Sequence, residues 1–299
     1  MTTLDDLVEA GLLRSNVSLG AFTTYKSGGP ALWFADVQTN VDLARLIESA
    51  VGADLAVLVI GRGSNLVVAD EGFPGVVVRL GGEFAKIAIN GNQVVAGAAV
   101  PLPRLARATV EAQITGLEFF VGIPGSVGGA VRQNAGCFGT ETKDRLVSAE
   151  IVDLATGTTR SASPDELAFS YRNSNVASSE LVTSADFEGR PGSIEQGKAE
   201  LLRITRWRKK NQPGGTLNAG SVFKNPSDIP AGELIDSLGL KGLSVGDVSI
   251  SDKHANFFVA GSDATSGDIF KLVELVKGRV FELTGTMLEP EIEFVGFER

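Results

Sequence analysis

A chain of 299 residues with 43% hydrophobic and 21% charged residues is long enough for two domains and apolar enough to bury a core, which excludes a disordered polymer. The formal net charge of −9 excludes a broad nucleic-acid surface, although a few local cations would suffice for an anionic small molecule. One cysteine, Cys137, and one histidine, His254, exclude an intrachain disulfide and a zinc site, so no metal is expected. The N-terminus carries Asp5, Asp6 and Glu9 without a signal-peptide pattern, and no apolar run reaches the roughly 18 residues of a membrane span. A cytoplasmic protein with no nucleic-acid or membrane partner is the expectation.

Residues 2–13 predict an amphipathic helix, with Leu4, Leu7, Val8 and Leu12 apolar. A turn ending in Ser27-Gly28-Gly29-Pro30 leads to a strand over 31–37. Helical spacing of Val41, Leu43, Leu46 and Ile47 predicts a helix over 41–50. The apolar run 56–60 reads as a strand and passes directly into Gly61-Arg62-Gly63-Ser64-Asn65. A strand followed by a glycine turn is a usual place for a cofactor phosphate. Strands then follow over 66–68, 76–80, 86–89 and 93–97, with a helix over 103–111.

The block 122–139 holds six glycines in Gly122-Ile123-Pro124-Gly125-Ser126-Val127-Gly128-Gly129 and its continuation through Asn134-Ala135-Gly136 to Gly139. Such density lets successive backbone N–H groups converge on an anion, or serves as a packing turn with no ligand. Strands are predicted over 146–153 and 181–187, and a helix over 193–208 that ends in the basic cluster 206–210. The loop 211–220 is the expected domain boundary. Beyond it come a helix over 231–238, β segments near 248 and 256–259, a helix over 266–284 and a strand over 290–295. No repeat is present.

Several site classes fail on spacing. Gly61-Arg62-Gly63 lacks the third glycine of a Rossmann fingerprint, and no Walker A motif occurs. Gly220-Ser221-Val222 lacks the frame of a hydrolase nucleophile, and only His254 could serve as its base. Taken singly, Ser221 reads as a turn residue, Arg172 as half of a surface ion pair, and Glu291 as a solvated strand end.

In their order, however, Gly61-Arg62-Gly63-Ser64-Asn65, the block from Gly122 to Gly129, Gln133-Asn134-Ala135-Gly136, Tyr171-Arg172-Asn173-Ser174, Ala219-Gly220-Ser221-Val222-Phe223-Lys224-Asn225-Pro226 and His254-Ala255-Asn256 resemble the UDP-N-acetylenolpyruvoylglucosamine reductase family. The resemblance runs from Thr23 to Gly296. It implies an α+β fold: a two-subdomain FAD-binding part of the vanillyl-alcohol-oxidase type over 1–210 (roughly 1–80 and 81–210), and a smaller α+β substrate-binding domain over 211–299. It also implies FAD as cofactor, NADPH as co-substrate, a UDP-sugar substrate bearing an enolpyruvyl group, and a role in peptidoglycan synthesis. With the lone His254 far downstream, the flavin is expected to be non-covalent, and the protein a monomer.

By matching motif, the resemblance implies Arg172, Ser221 and Glu291 as the catalytic set. Hydride from flavin N5 would reach C3 of the enolpyruvyl group, Ser221 would protonate C2, and Arg172 with Glu291 would stabilise the enolate. Gly61 to Asn65, Gly122 to Ser126, Gly128, Gly129, Asn134, Ala135, Gly136 and Gly139 are the implied FAD contacts. Tyr171, Arg208, Lys224, Asn225 and Asn256 are the implied substrate contacts. The short segment between Ser174 and Ser221 places the chain with relatives lacking an extra substrate-clamping loop. Cys137-Phe138 stands where Ala-Tyr is usual, Lys26-Ser27 where Arg-Ile is common, and Asn211 at an often basic site. An oxidase of the same flavin group, or a flavin-free scaffold, would share the fold.

Overall fold

The computed structural model describes residues 4–50 and 55–297. Helices mix with mainly antiparallel sheets, an α+β organisation. The chain divides into two compact units. Unit 1 comprises Met1–Ser15, Trp33–Arg62 and Gly75–Arg206; unit 2 comprises Asn16–Leu32, Gly63–Pro74 and Trp207–Arg299.

Unit 1 is built on a five-stranded antiparallel sheet in the order Thr159–Ala162, Leu146–Asp153, Glu180–Glu188, Gln93–Gly97, Ile87–Asn90. The strands bury alternate residues, as a sheet with one covered face requires. Val94, Ala96, Ile151, Ala185 and Phe187 meet Leu102 and Leu105 of the Leu102–Glu111 helix in one core. Phe120 packs edge-on against Phe187, centroids 5.5 Å apart. A second core gathers Leu7, Leu13, Val37, Leu43, Leu46, Val76 and Leu181. There Val57–Val59 runs parallel to residues 76–78.

Two expectations change in unit 1. The predicted helix over 2–13 is confined to Leu4–Glu9, because Gly11 takes φ 73° and Leu13 opens a strand; Thr2 and Thr3 lie outside the described residues. Inside the glycine block, Val127–Gln133 is a helix rather than an open turn. Gly128 and Gly129 disfavour helix by about 1 kcal/mol each. Packing overrides that preference: a Cβ on Gly128 would stand 3.0 Å from the Ala98 Cβ, and the N–H groups of Val127 and Gly128 donate to the carbonyls of Val100 and Ala98. Asn134 ends this helix in the left-handed conformation, at φ 45°.

Unit 2 packs the Ala231–Ser237 and Ser266–Thr284 helices with a three-stranded antiparallel sheet, Ser244–Val245, Val248–Ile250, Phe258–Ala260. Glu293–Val295 runs parallel to Leu66–Val68, so the end of the chain is tied to residues far upstream. Residues 290 and 291, predicted as part of that last strand, instead run beside residues 222 and 223, where Pro290 and Phe223 form an antiparallel bridge. Tyr25 and Val67 enter the same core as Phe223, Phe258 and Val276. Among the described residues no helix is long and apolar enough to cross a membrane.

The Ser266–Thr284 helix matches its predicted bounds because both ends are coded locally. Thr265 and Asp268 form a capping box, and Gly285 closes the other end at φ 74°. A remote cap adds to this: the Asp70 carboxylate accepts the N–H groups of Ser266 (3.0 Å) and Gly267 (2.9 Å). Those donors have no partner within the helix, and the carboxylate complements its positive end. Replacing Asp70 by Ala should lower stability by about 1 kcal/mol, read as a lower urea midpoint at unchanged slope.

Candidate active site

In unit 1, the strand Val57–Val59 and the helix Val127–Gln133 present glycines to a cavity of about 250 Å³. Gly61, Gly128, Gly129 and Ser126 line it, together with Arg62, Arg79, Arg132 and Glu180. The glycines are needed there for space: a Cβ on Gly61 would lie 2.6 Å from the Ser126 hydroxyl. Other glycines of the block do different work. A Cβ on Gly122 would meet the Cys137 sulfur at 2.9 Å and one on Gly136 the Thr140 carbonyl at 2.6 Å, so both permit close packing. The Gly125 carbonyl accepts from the Leu102 N–H at 3.0 Å, and Gly139 turns the chain at φ 79°.

Arg172 also belongs to unit 1. It occupies a tight turn in which Ser170 and Asn173 exchange backbone hydrogen bonds of 3.1 and 3.2 Å. Its backbone is left-handed, φ 55°. The guanidinium donates from Nη2 to the Gly136 carbonyl (3.0 Å), approaches Glu141 at 3.6 Å, and lies over the Tyr171 ring at 4.9 Å. Tyr171 itself is exposed. Asn134 is fully buried, and its amide is engaged by Glu141, by the Ser170 carbonyl and by the Lys143 N–H.

Unit 2 brings three sequence-remote residues together. Ser221 follows Gly220, whose φ is 80° and whose N–H donates to Asn218 Oδ1 at 3.0 Å. The next residue, Val222, accepts the Glu291 N–H at 2.7 Å, and Lys224 donates to the Glu289 carbonyl at 2.9 Å. Ser221 and Glu291 therefore stand on adjacent backbone segments. Asn65 clamps the second segment: its Nδ2 donates to the Glu291 carbonyl (3.0 Å), and its own carbonyl accepts the Glu293 N–H (2.8 Å). Gly63 makes the turn into Asn65 at φ 59°, where a Cβ would strike the Phe22 carbonyl. Ser64 is half-buried between them.

The remaining expected contacts fall in two groups. Lys224 pairs with Glu289 at 2.6 Å, Asn225 Oδ1 accepts the Ala231 N–H at 3.0 Å, and Arg208 donates to Gln212 at 2.6 Å. Asn256, by contrast, is only 2% exposed; its Oδ1 accepts the Phe223 N–H (2.9 Å) and its Nδ2 donates to the Phe223 carbonyl (2.8 Å). Both ends of that amide face the backbone that follows Ser221.

Residues 212–295 match the model of the UDP-N-acetylenolpyruvoylglucosamine reductase C-terminal domain, and residues 32–163 match that of an FAD binding domain. The chain is 42% identical over 286 residues to the UDP-N-acetylenolpyruvoylglucosamine reductase of Azorhizobium caulinodans, covering 96% of this chain and 92% of that one. The chain belongs to the UDP-N-acetylenolpyruvoylglucosamine reductase family. The reductase of Methylorubrum populi is 44% identical, over 96% of this chain and 93% of its own. The crystal structure of the Thermus caldophilus reductase superposes with a TM-score of 0.83 at 38% identity, covering 95% of this chain and 99% of that one.

FAD is the cofactor of this family fold, and the unit 1 cavity fits a dinucleotide phosphate. Gly61 and Gly128 leave room where a Cβ would intrude, and Arg62 and Arg132 bring positive charge, whereas Arg79 is held by the Asp36 carboxylate through hydrogen bonds of 3.3 and 3.0 Å. Arg79 and Arg132 were not singled out from the sequence. Arg132 stands in the glycine block itself, but its place at the cavity depends on the Val127–Gln133 helix, which the density of glycines does not predict. A Gly61→Ala variant should bind FAD about tenfold more weakly, about 1.4 kcal/mol, in a fluorescence titration of the apoprotein, because the new methyl displaces Ser126.

The single histidine, His254, stands two residues before Asn256. Burial pulls the His254 imidazole below its ordinary value of 6.5; its Nδ1 accepts the Asn256 N–H at 3.2 Å, and Lys241 adds to the downward shift. A folded value below the unfolded one makes this contribution full above pH 6.5, and it is lost as pH falls from there through the lower folded value. The urea midpoint should therefore drop between about pH 7 and pH 5.5, and less steeply in His254→Gln.

Proposed function

We propose that Arg172, Ser221 and Glu291 are the catalytic set of this FAD-dependent, NADPH-consuming UDP-N-acetylenolpyruvoylglucosamine reductase, which makes UDP-N-acetylmuramate for peptidoglycan. The observation that carries the reading is the backbone pairing of Val222 with Glu291, which brings the Ser221 and Glu291 segments next to each other, with Asn65 clamped to the Glu291 segment. When bound, FAD would supply the hydride for the enolpyruvyl double bond, with NADPH as the reductant.

The chain's own residues manage the charge and the proton. Adding hydride at C3 pushes negative charge onto C2 and its conjugated carboxylate. Arg172 offers a permanently charged, planar fork for that carboxylate. Glu291 assists in its protonated form, since a carboxylate beside the developing charge would oppose it. Ser221 delivers a proton to C2 from its hydroxyl. Tyr171, Arg208, Lys224 and Asn225 receive the UDP-sugar, the two cations offering charge to its diphosphate. Asn256 acts one step back, through the Phe223 backbone that orients Ser221.

Gly61, Arg62, Gly63, Ser64, Asn65 and the block from Gly122 to Gly139 hold the flavin non-covalently, with Asn134 acting from the interior. On this reading the flavin part extends to about residue 210 and the substrate part occupies 211–299. The enzyme works as a cytoplasmic monomer without a nucleic-acid or membrane partner.

In stopped-flow measurements, Ser221→Ala should leave NADPH reduction of the flavin nearly intact. Reoxidation by the enolpyruvyl substrate should slow by about 10²–10⁴-fold. Equal loss in both half-reactions would make Ser221 structural. Peroxide formation in place of substrate-dependent NADPH consumption would point to an oxidase.

A further inference from the structure

The guanidinium of Arg172 is held by more than its own turn. Its side chain is only 17% exposed, so its charge needs a counter-charge fixed within the protein. Gly136 and Glu141 supply that setting. The Gly136 carbonyl accepts from Nη2 at 3.0 Å, and Glu141 Oε1 faces Nη1 at 3.6 Å. Tethering at two nitrogens sets the plane of the fork, which decides whether it can meet a carboxylate with both arms.

Glu141 is itself immobilised. Its Oε2 accepts from Asn134 Nδ2 at 3.0 Å and pairs with Lys143 at 3.1 Å, while its carboxylate also caps the short turn Thr142–Asp144 by accepting the Asp144 N–H. The same Asn134 Nδ2 donates to the Ser170 carbonyl at 3.0 Å, the residue that opens the Arg172 turn. One fully buried amide thus ties the backbone under Arg172 to the carboxylate beside its guanidinium. Asn134 and Arg172 are both left-handed, at φ 45° and 55°, and such backbone persists only where its surroundings over-determine it.

We propose that Glu141, locked by Asn134, is a positioning residue that sets the guanidinium of Arg172 for the enolpyruvyl carboxylate. The inference rests on the reading of Arg172 as catalytic. It assigns Glu141 no contact with substrate or flavin.

The test uses the flavin-loaded enzyme with Glu141→Gln, Glu141→Asp and Arg172→Lys. The glutamine keeps an acceptor for the cap and for Asn134 but removes the charge facing Arg172. It should slow reoxidation by the enolpyruvyl substrate about tenfold or more while leaving NADPH reduction of the flavin within about twofold. The aspartate should recover part of that loss. The order parameter of the Arg172 Nε–Hε bond, from NMR relaxation, should fall in the glutamine variant. If that variant does not fold, the aspartate variant carries the test, with about threefold slower reoxidation expected for its shorter reach.

Wild-type reoxidation and a rigid Arg172 in the glutamine variant, with Arg172→Lys slow, would overturn the positioning role alone. Equal slowing of both half-reactions would reduce Glu141 to its cap. Wild-type reoxidation in Arg172→Lys would remove the catalytic reading of Arg172, and this inference with it.

Discussion

Unit 2 depends on a ladder between segments far apart in the chain, Glu293–Val295 running parallel to Leu66–Val68. Once those strands pair, Asn65 arrives beside residue 291 across 226 positions of sequence, and its amide and carbonyl take the Glu291 carbonyl and the Glu293 N–H. With the near side of residue 291 so engaged, its N–H is left to meet Val222, and Ser221 follows. Buried backbone groups must all be paired, so one register decides the next. The apolar stake is large as well: Val67, Val222 and Ile292 are buried in the same core.

Unit 1 meets a different demand, room for a ligand beside a packed sheet. Its glycines divide by task. Gly61, Gly128 and Gly129 line the cavity, Gly61 and Gly128 also letting Ser126 and Ala98 come close, and Gly122 and Gly136 let neighbouring chain pack tightly. A helix carrying two adjacent glycines survives because the Ala98 and Val100 carbonyls take its first N–H groups. Here propensity yields to tertiary hydrogen bonding.

Much of the fold was legible in local chemistry. The Ser266–Thr284 helix carries its signals at both ends, and the Gln93–Gly97 and Leu146–Asp153 strands fall at their predicted bounds. The differences have two causes. The Val127–Gln133 helix and the course of residues 290–291 are set by partners distant in sequence, which periodicity does not register, whereas the Leu4–Glu9 helix is cut short locally by Gly11. Arg79 and Arg132 were missed at the cavity for the first reason: their types are ordinary, and only their place is informative.

By itself, then, the sequence determined the residue types and their order: glycine turns after apolar strands, a lone histidine and cysteine, an arginine after a tyrosine, a serine after a glycine, and the family to which these motifs belong. Tertiary structure decided which of them do which task. It engaged the amides of Asn134 and Asn256 with nearby groups of the interior, because a buried amide must satisfy its donors and acceptors there. It also placed Ser221 and Glu291 on adjacent segments, since hydrogen-bond pairing and core burial are satisfied only when the distant strands close together.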